Sequence, residues 1–258
     1  MLDIDGVLLD IDGVLAVSWQ PLPGAVDTIA WLREHRLPFR LITNTTTHTR
    51  AELARTLTDA GIAVEAAEIV TAVTATASFL GSHHPGARVF LLSDGDARAD
   101  LEGVDLVEDA ADVVVLGGAY EGFTYGVMNH VFRMLMDGAT LVGMHRNLYW
   151  RTAEGWQLDG GAYIAGLEEA TGRPATICGK PTAAYFEAAL GAIGVPATRA
   201  AMLGDDVVND VLGAQAAGLK GVLVRTGKFR PEDLERANGT PDHVLESIGE
   251  LPGLLEPS

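Results

Sequence analysis

Short apolar runs recur along this chain, and polar residues of chemical interest stand directly after many of them. Val7-Leu8-Leu9 precedes Asp10-Ile11-Asp12-Gly13, and Phe39-Arg40-Leu41-Ile42 precedes Thr43-Asn44-Thr45-Thr46. Runs of this length read as buried strands. Between them apolar residues recur at helical spacing: Val26, Ile29, Ala30 and Leu32 through about His35, then Leu53, Ala54 and Leu57 within about 49–60. Gly61 supplies the stop signal of that second helix, and a third is predicted over about 68–79. Alternating strands and helices, with both strands apolar, predict a parallel sheet covered on both faces.

The middle of the chain repeats the theme. Val89–Leu92, Val113–Leu116 and Thr140–Val142 read as strands, and Val127, Val131, Met134 and Leu135 mark a helix over 125–136. A hairpin is predicted to join Leu148-Tyr149-Trp150 to Trp156-Gln157-Leu158 through Ala153-Glu154-Gly155. A short helix then ends at Gly172. From Arg173 the first pattern resumes: Gly179-Lys180-Pro181 precedes a helix with Phe186, Ala189, Leu190 and Ile193. Ala200–Leu203 ends at Gly204-Asp205-Asp206, a helix over 208–217 follows, and Val222-Leu223-Val224 is a further strand. Residues 1–78 and 173–258 are therefore expected to form one doubly wound, Rossmann-like α/β core, interrupted by an α/β cap over 79–172.

The words of the opening motif occur twice, as Asp3-Ile4-Asp5-Gly6-Val7-Leu8 and as Asp10-Ile11-Asp12-Gly13-Val14-Leu15. The first copy has only Met1 and Leu2 ahead of it, too little for a core strand, so Asp10 and Asp12 are taken as the working pair. A calcium loop would need further oxygen ligands at alternate positions, but Val14, Leu15 and Ala16 follow instead.

Composition narrows the classes. A chain of 258 residues with 48% hydrophobic content builds one large domain or two smaller ones. A net charge of −17 opposes nucleic acid and anionic membranes as partners. No apolar run reaches the roughly 18 residues of a membrane span, and no basic-then-apolar leader marks export. Cys178, the single cysteine, excludes an internal disulfide and fits a reducing compartment, the cytoplasm by default.

The strand-end loops carry Asp10 and Asp12, Thr43 and Asn44, Lys180, then Asp205, Asp206 and Asp210. In an open parallel sheet the carboxyl ends of the strands converge on one site. This inventory of carboxylates, a hydroxyl, an amide and one cation suits a phosphoryl group held against Mg²⁺, which prefers oxygen ligands. Gly179-Lys180 is not a nucleotide-triphosphate loop, because Pro174 and Pro181 occupy its required Gly and Ser/Thr positions. Asp205 and Asp206 also have a purely structural reading, as favourable charges at a helix start.

In this order the four motifs resemble those of the haloacid dehalogenase superfamily of phosphohydrolases. The long insertion is similar to the large α/β cap of its NagD-like and pyridoxal phosphate phosphatase branch. The tail, from Gly204-Asp205-Asp206 to Val224-Arg225-Thr226-Gly227-Lys228-Phe229-Arg230-Pro231, resembles the phospholysine phosphohistidine inorganic pyrophosphate phosphatase group. Members of that group often lack the second aspartate, whereas Asp12 is present here. The resemblance implies that Asp10 is the nucleophile, forming an aspartyl-phosphate, and that Asp12 is the general acid and base. It implies Mg²⁺ on Asp10, the Asp12 backbone carbonyl and Asp205, with Asp210 in support and Asp206 either in support or capping a helix. Thr43 and Asn44 would hold phosphoryl oxygens and Lys180 would neutralise charge.

The function expected is therefore a Mg²⁺-dependent phosphatase acting on a small phosphorylated metabolite. Its cap is expected to close over the site, with Arg146, Asn147 and the 150–159 hairpin as candidates for substrate choice, and a homodimer through the cap is implied by the resemblance. Hydrolysis of phosphorus–nitrogen bonds or of pyrophosphate is the second enzymatic reading. A dimeric phospho-ligand-binding protein with little turnover is the alternative of a different class.

Overall fold

The computed structural model describes residues 2–152 and 155–255. The chain divides into two compact units. The first comprises 1–43, 50–70 and 180–258, and the second 44–49 and 71–179.

The first unit is built on a six-stranded sheet in the order His243–Leu245, Lys220–Val224, Ala200–Gly204, Gly6–Asp10, Phe39–Thr43, Ile69–Thr71. Gly6–Asp10 sits centrally and pairs in parallel with Ala200–Gly204 on one side and Phe39–Thr43 on the other. All five of its residues are buried, as a strand covered on both faces requires. Val7, Leu9, Leu41, Leu203 and Val222 join Ile29, Leu32, Leu53 and Leu57 from the helices Ala25–Glu34 and Arg50–Asp59 in one apolar cluster. In the first of these helices Ala25, Thr28, Ile29 and Leu32 face the core, and Val26 is exposed.

The leader copy of the motif forms no strand at Asp3 or Asp5. Instead Arg199 holds it: its Nη1 lies 2.5 Å from Asp3 Oδ2, and its Nε and Nη2 donate to the two Asp5 oxygens at 2.9 and 2.7 Å. The Arg199 hydrogen bonds, with help from its charge, keep the Asp5 carboxyl below its usual range against the opposing effect of burial. The two aspartate pairs are thus separated: Asp3 and Asp5 lie on the surface ahead of the strand, and Asp10 ends it in the core.

The second unit has its own sheet, in the order Thr176–Ile177, Thr140–Gly143, Val113–Leu116, Arg88–Leu92, Asp105–Leu106, with parallel pairings throughout. Val113 and Val115 face one apolar cluster, with Ala72, Val73 and Leu80 of the helix Ala72–His83. Val114 and Leu116 face another, with Val131, Met134 and Leu135 of the helix Tyr125–Met136. The alternation is that of a sheet sandwiched between helices. A separate hairpin pairs Tyr149–Thr152 with Gly155–Leu158, and its turn residues Ala153 and Glu154 lie outside the described residues.

The sequence places domain boundaries at 78/79 and 172/173, whereas the long second segment of the compact units runs from 71 to 179, with 44–49 also in that unit. The shift has a physical cause at each end. The helix over 72–83 buries its apolar face against the second sheet, and Thr176–Ile177 pairs with Thr140–Gly143. Among the described residues no helix is long and apolar enough to cross a membrane.

Candidate active site

Asp10 ends the central strand of the first unit, and Asp205 follows the end of its neighbour Ala200–Gly204. Beyond Asp205 the chain enters a widened helical turn, Val207–Leu212, in which the Val211 N–H reaches back to Asp206 O at 3.2 Å. Such turns often occur at functional sites, and this one carries Asp210 back beneath the strand end. Gly204 makes room for it, since a Cβ there would come within 2.2 Å of the Asp210 Cβ.

Lys180 Nζ lies 2.7 Å from Asp10 Oδ1 and 2.7 Å from Asp210 Oδ1, and all three side chains are buried. Asp10 Oδ1 also accepts the Ile11 N–H at 2.9 Å. Burial by itself lowers the pKa of a lysine, but the Asp10 and Asp210 carboxylates outweigh it and hold the Lys180 ammonium well above its ordinary range.

Asp205 is 2% exposed. Its Oδ2 accepts the Lys228 N–H at 2.7 Å, whereas its Oδ1 accepts no hydrogen bond among the described residues and has Lys228 Nζ 3.9 Å away. Burial pushes its pKa up to about 8; Lys228 opposes the shift, and the like charges of Asp10 and Asp210 add to it. Asp210 is pushed up to about 6 by burial and by Asp10, against the pull of Lys180.

Asp10, Asp205 and Asp210 each bring one carboxylate oxygen within 4.8 Å of the others. Three buried carboxylates held by one buried ammonium leave an excess of negative charge, and Asp205 Oδ1 is an orphan acceptor inside it. Oxygen-only donors with that charge fit a hard divalent cation such as Mg²⁺. The structure thus brings Asp10, Asp205, Asp210 and Lys180 together. Asp210, expected from the sequence only in support of the metal, offers an oxygen to the cluster itself. The Asp12 side chain is exposed and outside that carboxylate cluster, and its backbone bridges to Ala16.

Asp206 resolves toward capping. Its Oδ1 accepts the Val208 and Asn209 N–H groups at 2.9 and 2.8 Å, and its Oδ2 accepts Asn209 Nδ2 at 2.7 Å and faces Lys228 Nζ at 3.1 Å. Burial alone would raise its pKa, but Lys228 and the Asn209 hydrogen bonds bring it below the usual value.

Thr43 is buried at the end of the strand Phe39–Thr43. The next residue, Asn44, belongs to the second unit, where its Oδ1 packs so closely on Gly179 that a Cβ there would come within 2.5 Å.

Four further residues shape this site. Gly13 and Gly227 have φ of 85° and 63°, and a Cβ on either would come within 2.1 Å of Asp205 Oδ2. The Asp205 carboxylate is therefore wedged between two glycine backbones that no larger residue can replace. Thr226 Oγ1 donates to Gly13 O at 2.5 Å and fastens the two loops together. Tyr185, fully buried, accepts the Thr43 N–H on its hydroxyl at 3.1 Å. For Gly227 and Thr226 the available signal was the Thr226-Gly227-Lys228 run after an apolar strand, and for Gly13 its place directly after Asp12; for Tyr185 it was a hydroxyl on the apolar face of a helix.

A carboxylate beside a buried ammonium, in a cluster whose donors fit a divalent cation, suits phosphoryl groups: the charges match a dianion and its transfer. The class is that of phosphohydrolases. Residues 7–107 match the family model of haloacid dehalogenase-like hydrolases, and residues 177–251 match that of HAD-hydrolase-like proteins. The chain is 36% identical over 245 residues to human haloacid dehalogenase-like hydrolase domain-containing protein 2, covering 95% of this chain and 93% of that one. It is 36% identical over 258 residues to human phospholysine phosphohistidine inorganic pyrophosphate phosphatase, covering 98% and 94%. Among solved structures, the 4-nitrophenylphosphatase of Thermotoga maritima superposes with a TM-score of 0.91 at 32% identity, covering 98% of each chain. NagD of E. coli K-12 superposes with a TM-score of 0.87 at 26% identity, covering 97% and 98%. This chain belongs to the haloacid dehalogenase-like hydrolase family, and it is a hydrolase of the phosphatase kind.

Proposed function

We propose that this phosphatase hydrolyses a small phosphomonoester with Mg²⁺, passing the phosphoryl group through Asp10. The observation that carries the reading is the buried Asp10, 2.7 Å from Lys180 and clustered with Asp205 and Asp210. In the first step an Asp10 carboxylate oxygen bonds to phosphorus while the bond from phosphorus to the leaving oxygen breaks in line. Asp12 gives its proton to that departing alkoxide. Asp12 then takes a proton from water, the water oxygen bonds to phosphorus, and the bond to Asp10 breaks to release inorganic phosphate. The exposure of Asp12 suits a group that must trade protons with leaving group and water in turn.

Thr43 and Asn44 hold phosphoryl oxygens, and Lys180 balances their charge. Asp10, Asp205 and the Asp12 backbone carbonyl hold Mg²⁺, with Asp210 supporting it. When bound, the ion neutralises the phosphoryl oxygens and so lowers the cost of bringing a dianion against a carboxylate. In this reading the first unit is the hydrolase core and the second its inserted cap. Phosphate release from 4-nitrophenyl phosphate, with Mg²⁺ and then with chelator, tests the proposal. Turnover that is indifferent to chelation would refute the metal requirement, and none at all in Mg²⁺ would refute the activity.

The likeness to the human phospholysine phosphohistidine inorganic pyrophosphate phosphatase favours a second reading, cleavage of phosphorus–nitrogen or pyrophosphate bonds. Imidodiphosphate and pyrophosphate would then outcompete sugar and nucleotide monophosphates in a panel.

A further inference from the structure

Tyr185 stands on the helix Ala183–Gly191, which follows Lys180, and its side chain is fully buried. Its hydroxyl accepts the Thr43 N–H at 3.1 Å and lies 2.9 Å from Thr43 O and 2.8 Å from Val70 O. A phenol has one proton, so it donates to one of these carbonyls at a time while accepting from Thr43. Phe39–Thr43 and Ile69–Thr71 are neighbours at the edge of the sheet. At their carboxyl ends one side chain thus joins the main-chain hydrogen bonding of both strands.

The position matters because Thr43 and Val70 are the residues at which the chain leaves the first unit. Local opening concentrates at such exits, where a chain passes out of its compact unit. A phenylalanine would fill the same volume and satisfy the same apolar neighbours. The hydroxyl is therefore not there for packing, and inside a protein it is retained only where it is paired.

We propose that Tyr185 is a positioning residue for phosphate binding: it locks the Thr43 peptide so that the Thr43 hydroxyl, and the Asn44 that follows, meet the phosphoryl oxygens. The assignment rests on the role given to Thr43 and Asn44 above. Tyr185 touches neither substrate nor metal in this scheme and acts through Thr43.

The test is Tyr185→Phe in the full-length protein. Steady-state hydrolysis of 4-nitrophenyl phosphate is measured beside calorimetric binding of inorganic phosphate in Mg²⁺. Loss of one positioning hydrogen bond should raise KM and the phosphate Kd together by about 3- to 10-fold, with kcat held within about twofold. In a Thr43→Ala background the same change should move either constant by less than about twofold, because the two residues act in series. Unchanged KM and phosphate Kd, whether or not the melting temperature falls, would overturn the inference, as would full additivity with Thr43→Ala. If the wild type turned over no aryl phosphate, the proposed reaction would fall, and the Tyr185 assignment would still be decided by the phosphate Kd alone.

Discussion

Lys180 Nζ sits midway between Asp10 Oδ1 and Asp210 Oδ1, at 2.7 Å from each, and none of the three side chains is more than 6% exposed. One cation thus serves two members of the carboxylate cluster at once, the proposed nucleophile Asp10 and Asp210. Lys180→Met removes that shared charge and leaves two buried carboxylates facing each other. Turnover should fall by at least about a hundredfold, and folding stability at neutral pH by about 3 kcal/mol. Kinetics and chemical denaturation measure the two losses separately.

The metal-free protein should lose stability as pH rises. In the fold Asp210 and Asp205 keep their protons up to about pH 6 and 8, whereas the unfolded chain releases them near 3.8. Between those values the native state binds more protons than the unfolded one, so stability falls with rising pH. Melting temperatures measured in chelator from about pH 5 to 8 should therefore decline. Asp205→Asn should flatten the decline, and Mg²⁺ at about 100 times its Kd should add about 2.7 kcal/mol.

Asp205 and Asp206 are adjacent in sequence but do different work. Asp206→Ala should cost about 1 kcal/mol through the lost cap on Val208 and Asn209, with Mg²⁺ affinity changed by less than about threefold. Asp205→Ala should abolish detectable Mg²⁺ binding by calorimetry while leaving the fold at least as stable without metal.

Gly227 is where the backbone touches the carboxylate cluster, at Asp205. In Gly227→Ala a Cβ would arrive 2.1 Å from Asp205 Oδ2 at a φ of 63°. The carboxylate must turn aside, at a cost of about 1–3 kcal/mol, and Mg²⁺ affinity should weaken by at least about tenfold. Gly86→Ala, at a φ of 73° but with nothing within 4 Å of its Cβ, separates backbone strain from the contact with Asp205.

What was legible in the sequence was what a local pattern encodes. The strand Gly6–Asp10 announced itself by an apolar run ending in a carboxylate, and strand length alone distinguished Asp10 from Asp3 and Asp5. Asp10 and Asp205 could be placed at one end of a sheet because parallel strands deliver their carboxyl ends to one side, whereas the strand ahead of Lys180, Thr176–Ile177, pairs in the second sheet. The residues that shape the site through close approach were hidden. Gly227 matters because of where Asp205 lies, and Tyr185 because its hydroxyl meets a peptide 142 positions away. The unit boundary near 71 was equally hidden, since the apolar face of the helix Ala72–His83 fits either sheet by pattern and only packing decides which.

The most direct measurement is acid-quench trapping of the phosphorylated enzyme during turnover of 4-nitrophenyl phosphate in Mg²⁺, with peptide mapping of the modified residue. The account predicts a phosphoryl group on Asp10, lost together with turnover in Asp10→Asn and retained with turnover within about twofold in Asp3→Asn, a surface change. Undiminished hydrolysis by Asp10→Asn, or a phosphoryl group on any other residue, would contradict it.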